Sequence, residues 1–169
     1  IDRSRGLGDV YKRQFENEAE VPAEETNPSI LIDDLIQNFS RADIKIKTTG
    51  EISNKLFKLK PFAIKRALEN LINNAHRYGD QILIEKKIEN NFLILSVHDD
   101  GPGINESQHD EVLQPFTRLD KSRNQNKGSS VGLGLPIAKE IAEGHGGILK
   151  LSRSSLLSGL CVSLIIPTN

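Results

Sequence analysis

Two β-rich runs, Gln81–Ile88 and Phe92–His98, meet at Asn90-Asn91 in the middle of the chain. Such an asparagine pair between alternating apolar runs reads as a hairpin turn. A hairpin pairs its strands antiparallel, and an antiparallel sheet can leave one face for helices to cover. The flanking segments supply those helices. Ile32, Leu35, Ile36 and Phe39 recur at helical spacing and predict a helix from Ser29 to about Phe39. Ile44–Thr48 alternates as a half-buried strand does, and Lys55–Leu59 reads as a short edge strand. Pro61 suits the first turn of a second helix, striped by Ile64, Leu68, Leu71, Ile72 and Ala75 and ended by Gly79. After the hairpin come a Gly-rich turn, a polar stretch to about Ser130, a helix over Leu135–Glu143, and strands at Ile148–Ser152 and Leu160–Ile166. This order predicts an α/β two-layer sandwich: a mixed, mostly antiparallel sheet of about five strands with three main helices on one face.

Residues 1–14 show neither period and are read as a non-native or frayed tail, outside the fold argument. Residues 15–27 are acidic, with Pro22 and then Pro28, and read as a linker or the remnant of a preceding domain. The folded domain is expected over 28–167. A hydrophobic share of 37% supports a core, and a net charge of −1 lacks the basic excess of a nucleic-acid binder. With 1 cysteine no internal disulfide can form. Cys161, in Leu160-Cys161-Val162, reads as a small core residue in a reducing compartment. No apolar run approaches the roughly 20 residues that span a bilayer, so the chain is expected to be soluble, without membrane contact of its own.

Three distant segments put small or amide residues where a ligand could approach. On the second helix, Asn70 and Asn74 lie four apart, on one face. Amides are costly in helix interiors, and amide oxygens suit a hard cation such as Mg²⁺. Next, Asp99-Asp100-Gly101-Pro102-Gly103-Ile104 follows an apolar strand. A strand-end carboxylate can accept a proton from an exocyclic amine, and glycines let backbone approach a flat base. Last, Gly128-Ser129-Ser130-Val131-Gly132-Leu133-Gly134-Leu135 opens the third helix, where N–H groups and the dipole favour an anion. It is neither a P-loop nor a dinucleotide fingerprint. Singly, each has a plain reading: a solvated helix face, an ordinary turn, a flexible loop before a helix.

Together, in this order, they resemble the ATP-binding domain of histidine kinases. Asn70–Tyr78 looks like the N box of that family, Asp99–Ile104 its G1 box, Gln114-Pro115-Phe116-Thr117-Arg118 its F box, and Gly132–Leu135 its G2 box. The resemblance covers roughly residues 28–167. It is nearest to EnvZ-type osmosensor kinases, through Arg66-Ala67, Arg77-Tyr78-Gly79 and Asp99–Ile104. It implies the Bergerat ATP-binding fold of this superfamily, with ATP and Mg²⁺ as ligands. By that likeness Asn74 holds Mg²⁺ and Asn70 orients the phosphates or a metal-bound water. Arg77 reaches the phosphates and Tyr78 lines the pocket. Asp99 takes the adenine amine, with Gly101 and Gly103 beneath the base and Ile104 beside them. Phe116, Arg118 and Arg123 belong to a lid over about Gln114–Val131, and Gly132, Leu133, Gly134 and Leu135 close over the phosphates. His76, Asn73, Lys121 and Lys127 read as helix surface or solvated charge.

Ser130 stands where the family often has glycine. None of the 4 histidines, His76, His98, His109 and His145, is followed by the acidic residue and then the Thr-Pro segment of the family's phosphoacceptor: His109 precedes acids, but Val112-Leu113 follow with no Thr-Pro. The acceptor is therefore expected on a dimerisation and phosphotransfer domain not contained in this sequence, with a response regulator as an indirect partner. The expected location is cytoplasmic, on a parent anchored in a membrane. The competing readings are a gyrase-, Hsp90- or MutL-like ATPase, a binding module without transfer activity, and an anti-sigma-type serine kinase. The hydrolases carry a general-base Glu where Asn70 stands, and an amide cannot be a base. Glu69 is rotated about 100° around the helix from Asn70.

Overall fold

The computed structural model describes residues 21–115 and 134–168. Their elements are β1 (Glu24–Thr26), α1 (Pro28–Arg41), β2 (Ile46–Thr49), β3 (Phe57–Leu59), α2 (Pro61–Tyr78), β4 (Ile82–Glu89), β5 (Phe92–Asp99), a 3-10 turn (Glu106–Gln108), α3 (His109–Val112), α4 (Gly134–Gly144), β6 (Ile148–Arg153) and β7 (Leu160–Pro167). A five-stranded sheet runs in the order β2-β4-β5-β7-β6. β2 pairs parallel with β4 and every other neighbour pair is antiparallel. The expected sandwich, with its mixed and mostly antiparallel sheet, is what folds.

The hairpin closes as its turn residues dictate. Asn90 and Asn91 adopt φ of 51° and 64°, the left-handed pair of a type I′ turn, whose twist matches that of the strands. On β5, Leu93, Leu95 and Val97 point into the helix layer, as do Leu160, Val162, Leu164 and Ile166 of β7. There they meet Ile64, Ala67, Leu68, Leu71, Ile72 and Ala75 of α2, and Ile137, Ala138, Ile141 and Ala142 of α4, in one buried cluster. Each such Leu or Ile contributes about 1.5–3 kcal/mol on burial. The Asn27 side chain caps α1 by accepting the Ser29 N–H at 3.0 Å, and proline opens both α1 and α2.

Three local expectations change. The segment read as an edge strand narrows to β3 and pairs with β1, outside the main sheet, so the acidic stretch ends in Glu24–Thr26 as structure. Neither strand alternates long enough to announce that non-local pairing. The stretch after Gly103 is not uniformly irregular: it holds the 3-10 turn and α3, too short for a period to show. Gly79 ends α2 in an extended conformation, φ −133°, rather than a left-handed cap. It is glycine for lack of space, since a Cβ there would lie 2.7 Å from Asp100 Oδ1. Among the described residues, no helix is long and apolar enough to cross a membrane.

Candidate functional site

α2 carries Asn70, Asn74, Arg77 and Tyr78, all half-buried. Positions 70, 74 and 77 fall along one face, because seven residues make nearly two full turns. Gly134, the first residue of α4, sits against that face: a Cβ on it would lie 3.8 Å from the Asn70 carbonyl oxygen and 3.9 Å from the Asn70 Cβ. At the other end of α2, Gly101 fits under the chain with no room for a side chain. Its Cβ would come 2.6 Å from the Tyr78 carbonyl oxygen. The Asp-Gly corner therefore meets the C-terminal end of α2, and the start of α4 meets its middle.

The corner is tied in at several points. Asp100 Oδ1 accepts the N–H groups of Asp80 at 2.7 Å and Gln81 at 3.0 Å. The Gln81 and Asp80 bonds hold the Asp100 carboxyl below the usual carboxylate range. Gly103 adopts φ of +75°, a conformation that disfavours any side chain. Ile104 packs at the margin of the core, and its carbonyl accepts a hydrogen bond from His109 Nε2 at 3.1 Å, anchoring α3.

Asp99 ends β5, only 3% exposed. Its Oδ1 accepts the Gly101 N–H at 2.9 Å and the Leu160 N–H at 3.1 Å. Among the described residues, these bonds reach Oδ1 alone, which leaves Oδ2 as the acceptor for a ligand. Burial raises the carboxyl's pKa, against the two N–H donors that lower it. Gly159 completes the grip: its N–H donates to the Asp99 carbonyl at 3.0 Å, and a Cβ on it would lie 2.4 Å from that oxygen and from Oδ1. Gly159→Ala is expected to destabilise the fold by about 2–3 kcal/mol, since backbone must shift to admit the methyl. A chemical denaturation curve checks this.

Behind Asp99, on the face the helices leave uncovered, His98 bonds Ser154 Oγ at 2.8 Å and Glu85 Oε1 at 3.3 Å. A hydrogen bond with Cys161 at 3.7 Å and the Glu85 carboxylate raise the His98 pKa against the effect of burial. Cys161 is buried as expected, but among polar groups rather than aliphatic ones.

Two atoms on α2 lack partners. Asn70 Nδ2 and Arg77 Nε are buried with no hydrogen bond. Both are donors, so what would satisfy them is a group rich in acceptors, and the guanidinium favours an anion. Among the described residues no cluster of three His, Cys, Asp or Glu side chains could hold a metal. A cation here would take an amide oxygen, water and the ligand's own oxygens, as Mg²⁺ does with a nucleotide. The half-buried amide of Asn74, one turn from Asn70, fits that requirement.

Of the residues singled out from sequence, Asn70, Asn74, Arg77, Tyr78, Asp99, Gly101, Gly103, Ile104, Gly134 and Leu135 fall in the described structure. Leu135 is buried in the first turn of α4. Phe116, Arg118, Gly132 and Leu133, with Arg123 and the rest of the expected lid after Pro115, lie outside the described residues. Sequence reasoning missed Asp100 as a tie between segments, and it missed Gly159 and Leu160 as the grip on Asp99. The Ser158-Gly159 pair before an apolar strand was the available signal.

Residues 60–169 match the family described as histidine kinase-, DNA gyrase B-, and HSP90-like ATPase. The sensor histidine kinase GtrS of Pseudomonas aeruginosa is 35% identical over 126 residues, covering 75% of this chain and 25% of that protein. The sensor histidine kinase CpxA of Escherichia coli is 33% identical over 108 residues, covering 63% and 23%. The chain thus spans about a quarter of the length of these curated relatives. Among solved structures, the histidine kinase domain of the E. coli osmosensor EnvZ is 34% identical, with a TM-score of 0.66 over 89% of this chain and 91% of that one. The ATP binding domain of PrrB from Mycobacterium tuberculosis, 20% identical, shares the fold with a TM-score of 0.71 over 88% and 99%.

Proposed function

This chain belongs to the histidine kinase-, DNA gyrase B-, and HSP90-like ATPase family, and from that premise we propose that it is the catalytic ATP-binding domain of a two-component sensor histidine kinase. It positions Mg-ATP so that the γ-phosphoryl group passes to a histidine on a dimerisation domain of the parent protein, and from there to a response regulator. The observation that carries this reading is the pair of unsatisfied buried donors, Asn70 Nδ2 and Arg77 Nε, along the α2 face that meets the start of α4.

The chemistry asked of these residues is positional. Asp99 Oδ2 accepts the adenine amine while Oδ1 stays bound to backbone, which fixes the carboxylate plane. Gly101 and Gly103 let the corner lie close under the base. Asn70 and Arg77 donate to phosphate oxygens, and the N–H groups at the start of α4 add to the same field. Tyr78 and Ile104 line the base and ribose side, and Leu135 the far wall. Asn74 offers its oxygen to Mg²⁺, which neutralises phosphate charge when bound. Phe116 and Arg118 are assigned to the lid, and Gly132 and Leu133 to contacts with the phosphates, by family likeness alone. Domain 28–167 would work on the cytoplasmic side, with 15–27 leading from the dimerisation domain. Relatives called sensor kinases, and Asn70 in place of a general base, support transfer to histidine over hydrolysis.

The test supplies the dimerisation domain of the parent kinase in trans with γ-labelled ATP and Mg²⁺. Acid-labile, base-stable label on that domain's histidine is the expected result. Steady-state release of inorganic phosphate with no labelled histidine would assign the chain to the hydrolases instead. Binding without either would leave a nucleotide-binding module.

A further inference from the structure

His145 follows α4 in a segment, Gly144-His145-Gly146-Gly147, that the nucleotide reading leaves without a role. It sits far from the phosphate end of the site, yet both of its ring nitrogens are engaged. Nδ1 donates to the Ile141 carbonyl at 2.7 Å, inside its own helix. Nε2 accepts the Lys60 N–H at 3.0 Å, across 85 positions of sequence. Only the neutral tautomer with its proton on Nδ1 can make both bonds. Lys60 is the N-cap of α2, and its own side chain does not cap the helix. His145 therefore joins the last turn of α4 to the N-cap of α2.

The consequence follows from helix geometry. α4 starts against Asn70, in the middle of α2, and ends against Lys60, at the beginning of α2. The two helices run antiparallel over about ten residues, or about 15 Å at 1.5 Å per residue. A bond that pins one end sets how far the other end has slid. The other end is where the α4 N–H groups stand beside the Asn70 amide. Positioning errors of about 1 Å can cost about 100-fold in a reaction that depends on alignment.

We propose that His145 is a positioning residue for the nucleotide site: its neutral imidazole latches the α4 C-terminus to the α2 N-cap and so sets the offset between Gly134 and Asn70. The proposal rests on the nucleotide reading above. A cationic imidazole would carry a proton on Nε2, aimed at the Lys60 N–H, and the latch would open. Burial lowers the His145 pKa, and the Lys60 ammonium lowers it further against the Ile141 bond. Lys60 is the charged group facing the ring from the β3–α2 junction. On its own helix the nearest carboxylates, Glu140 and Glu143, are exposed. The latch is therefore closed at neutral pH and opens only in acid.

The experiment measures Mg-ATP affinity by calorimetry from about pH 8 to about pH 5 for the wild type, His145→Ala and His145→Gln. Gln carries a neutral acceptor near the Nε2 position and does not titrate. At neutral pH, Ala is expected to bind about tenfold more weakly, and Gln within about threefold of wild type. Below the depressed His145 pKa the wild-type affinity should fall relative to that of Gln. Taking the ratio of the two affinities cancels the titration of ATP and of Asp99. In parallel, ¹⁵N spectra should show the Nδ1–H tautomer, and Lys60 amide exchange should quicken in the Ala variant. A wild-type to Gln affinity ratio that stays constant across the pH range, or a ring proton on Nε2, would overturn the proposal, even if the Ala variant fails to fold. A wild type that binds no Mg-ATP would bring down the nucleotide reading and this proposal with it. Lys60 amide protection would then still report whether the latch exists.

Discussion

Asp99→Asn will lower ATP affinity by about 100-fold while making the free protein more stable at neutral pH. The affinity loss has two parts. On the proposed reading the carboxylate Oδ2 is the acceptor left for the adenine amine, and in Asn an NH₂ group takes that place. Oδ1 must remain the acceptor for Gly101 and Leu160, so the amide cannot flip. Donor then faces donor, and a site built to pair a buried polar group discriminates steeply when the pairing fails. The stability gain follows from the raised pKa. A group whose folded pKa lies above its unfolded value favours folding most below the unfolded pKa, and loses that contribution as pH rises through the folded one. At neutral pH the buried charge is therefore a burden, and Asn removes it. The variant's extra stability should shrink as pH falls into the carboxylate range. Over the same window wild-type ATP affinity should fall, as protonation removes the acceptor, while the variant's affinity changes only with ATP's own titration. Thermal midpoints and calorimetric affinities across pH check both halves. A variant that is destabilised at neutral pH and binds ATP normally would remove Asp99 from the site.

Asn70→Leu tests the phosphate end with the same logic. Asn70 Nδ2 is buried without a partner, which typically costs about 1–3 kcal/mol. Leucine branches at Cγ as asparagine does and leaves no donor unsatisfied. The free variant should gain about 1 kcal/mol of stability and lose about 100-fold in Mg-ATP affinity. Denaturant midpoints and calorimetry measure the two changes. Lower stability with unchanged affinity would mean that the amide is a structural group whose partner lies elsewhere. Opposite signs for stability and binding at both Asp99 and Asn70 are the signature of a site that stores unsatisfied polarity for a ligand.

What could be read from the chain divides along sequence separation. α1, α2 and α4 were legible because their apolar stripes repeat within a few residues, and the β4–β5 hairpin because Asn90-Asn91 encodes its own turn. The pairing of β1 with β3 was not legible. Glu24–Thr26 carries no alternation, and its partner lies more than thirty positions away. The parallel pairing of β2 with β4, across the whole of α2, was hidden for the same reason. In the site, the amides of α2 and the glycines of the corner announced themselves as residues out of place in ordinary elements. Their supports did not. Asp100 binding the backbone at Asp80 and Gln81, Gly159 gripping Asp99, and His145 holding Lys60 are contacts that only the folded chain creates. Gly79 and Gly101 were visible as glycines, but the reason for them, mutual lack of space, is tertiary.

The most direct measurement of convergence is a ¹H–¹⁵N titration of the chain with a non-hydrolysable ATP analogue and Mg²⁺, following side-chain as well as backbone signals. The account predicts saturable shifts, with one common affinity, at the Asn70 and Asn74 amides, Arg77 Nε–H, and the backbone of Gly101, Gly103 and Gly134. Shifts confined to one of these segments, or separate affinities for α2 and for the Asp99 corner, would contradict it.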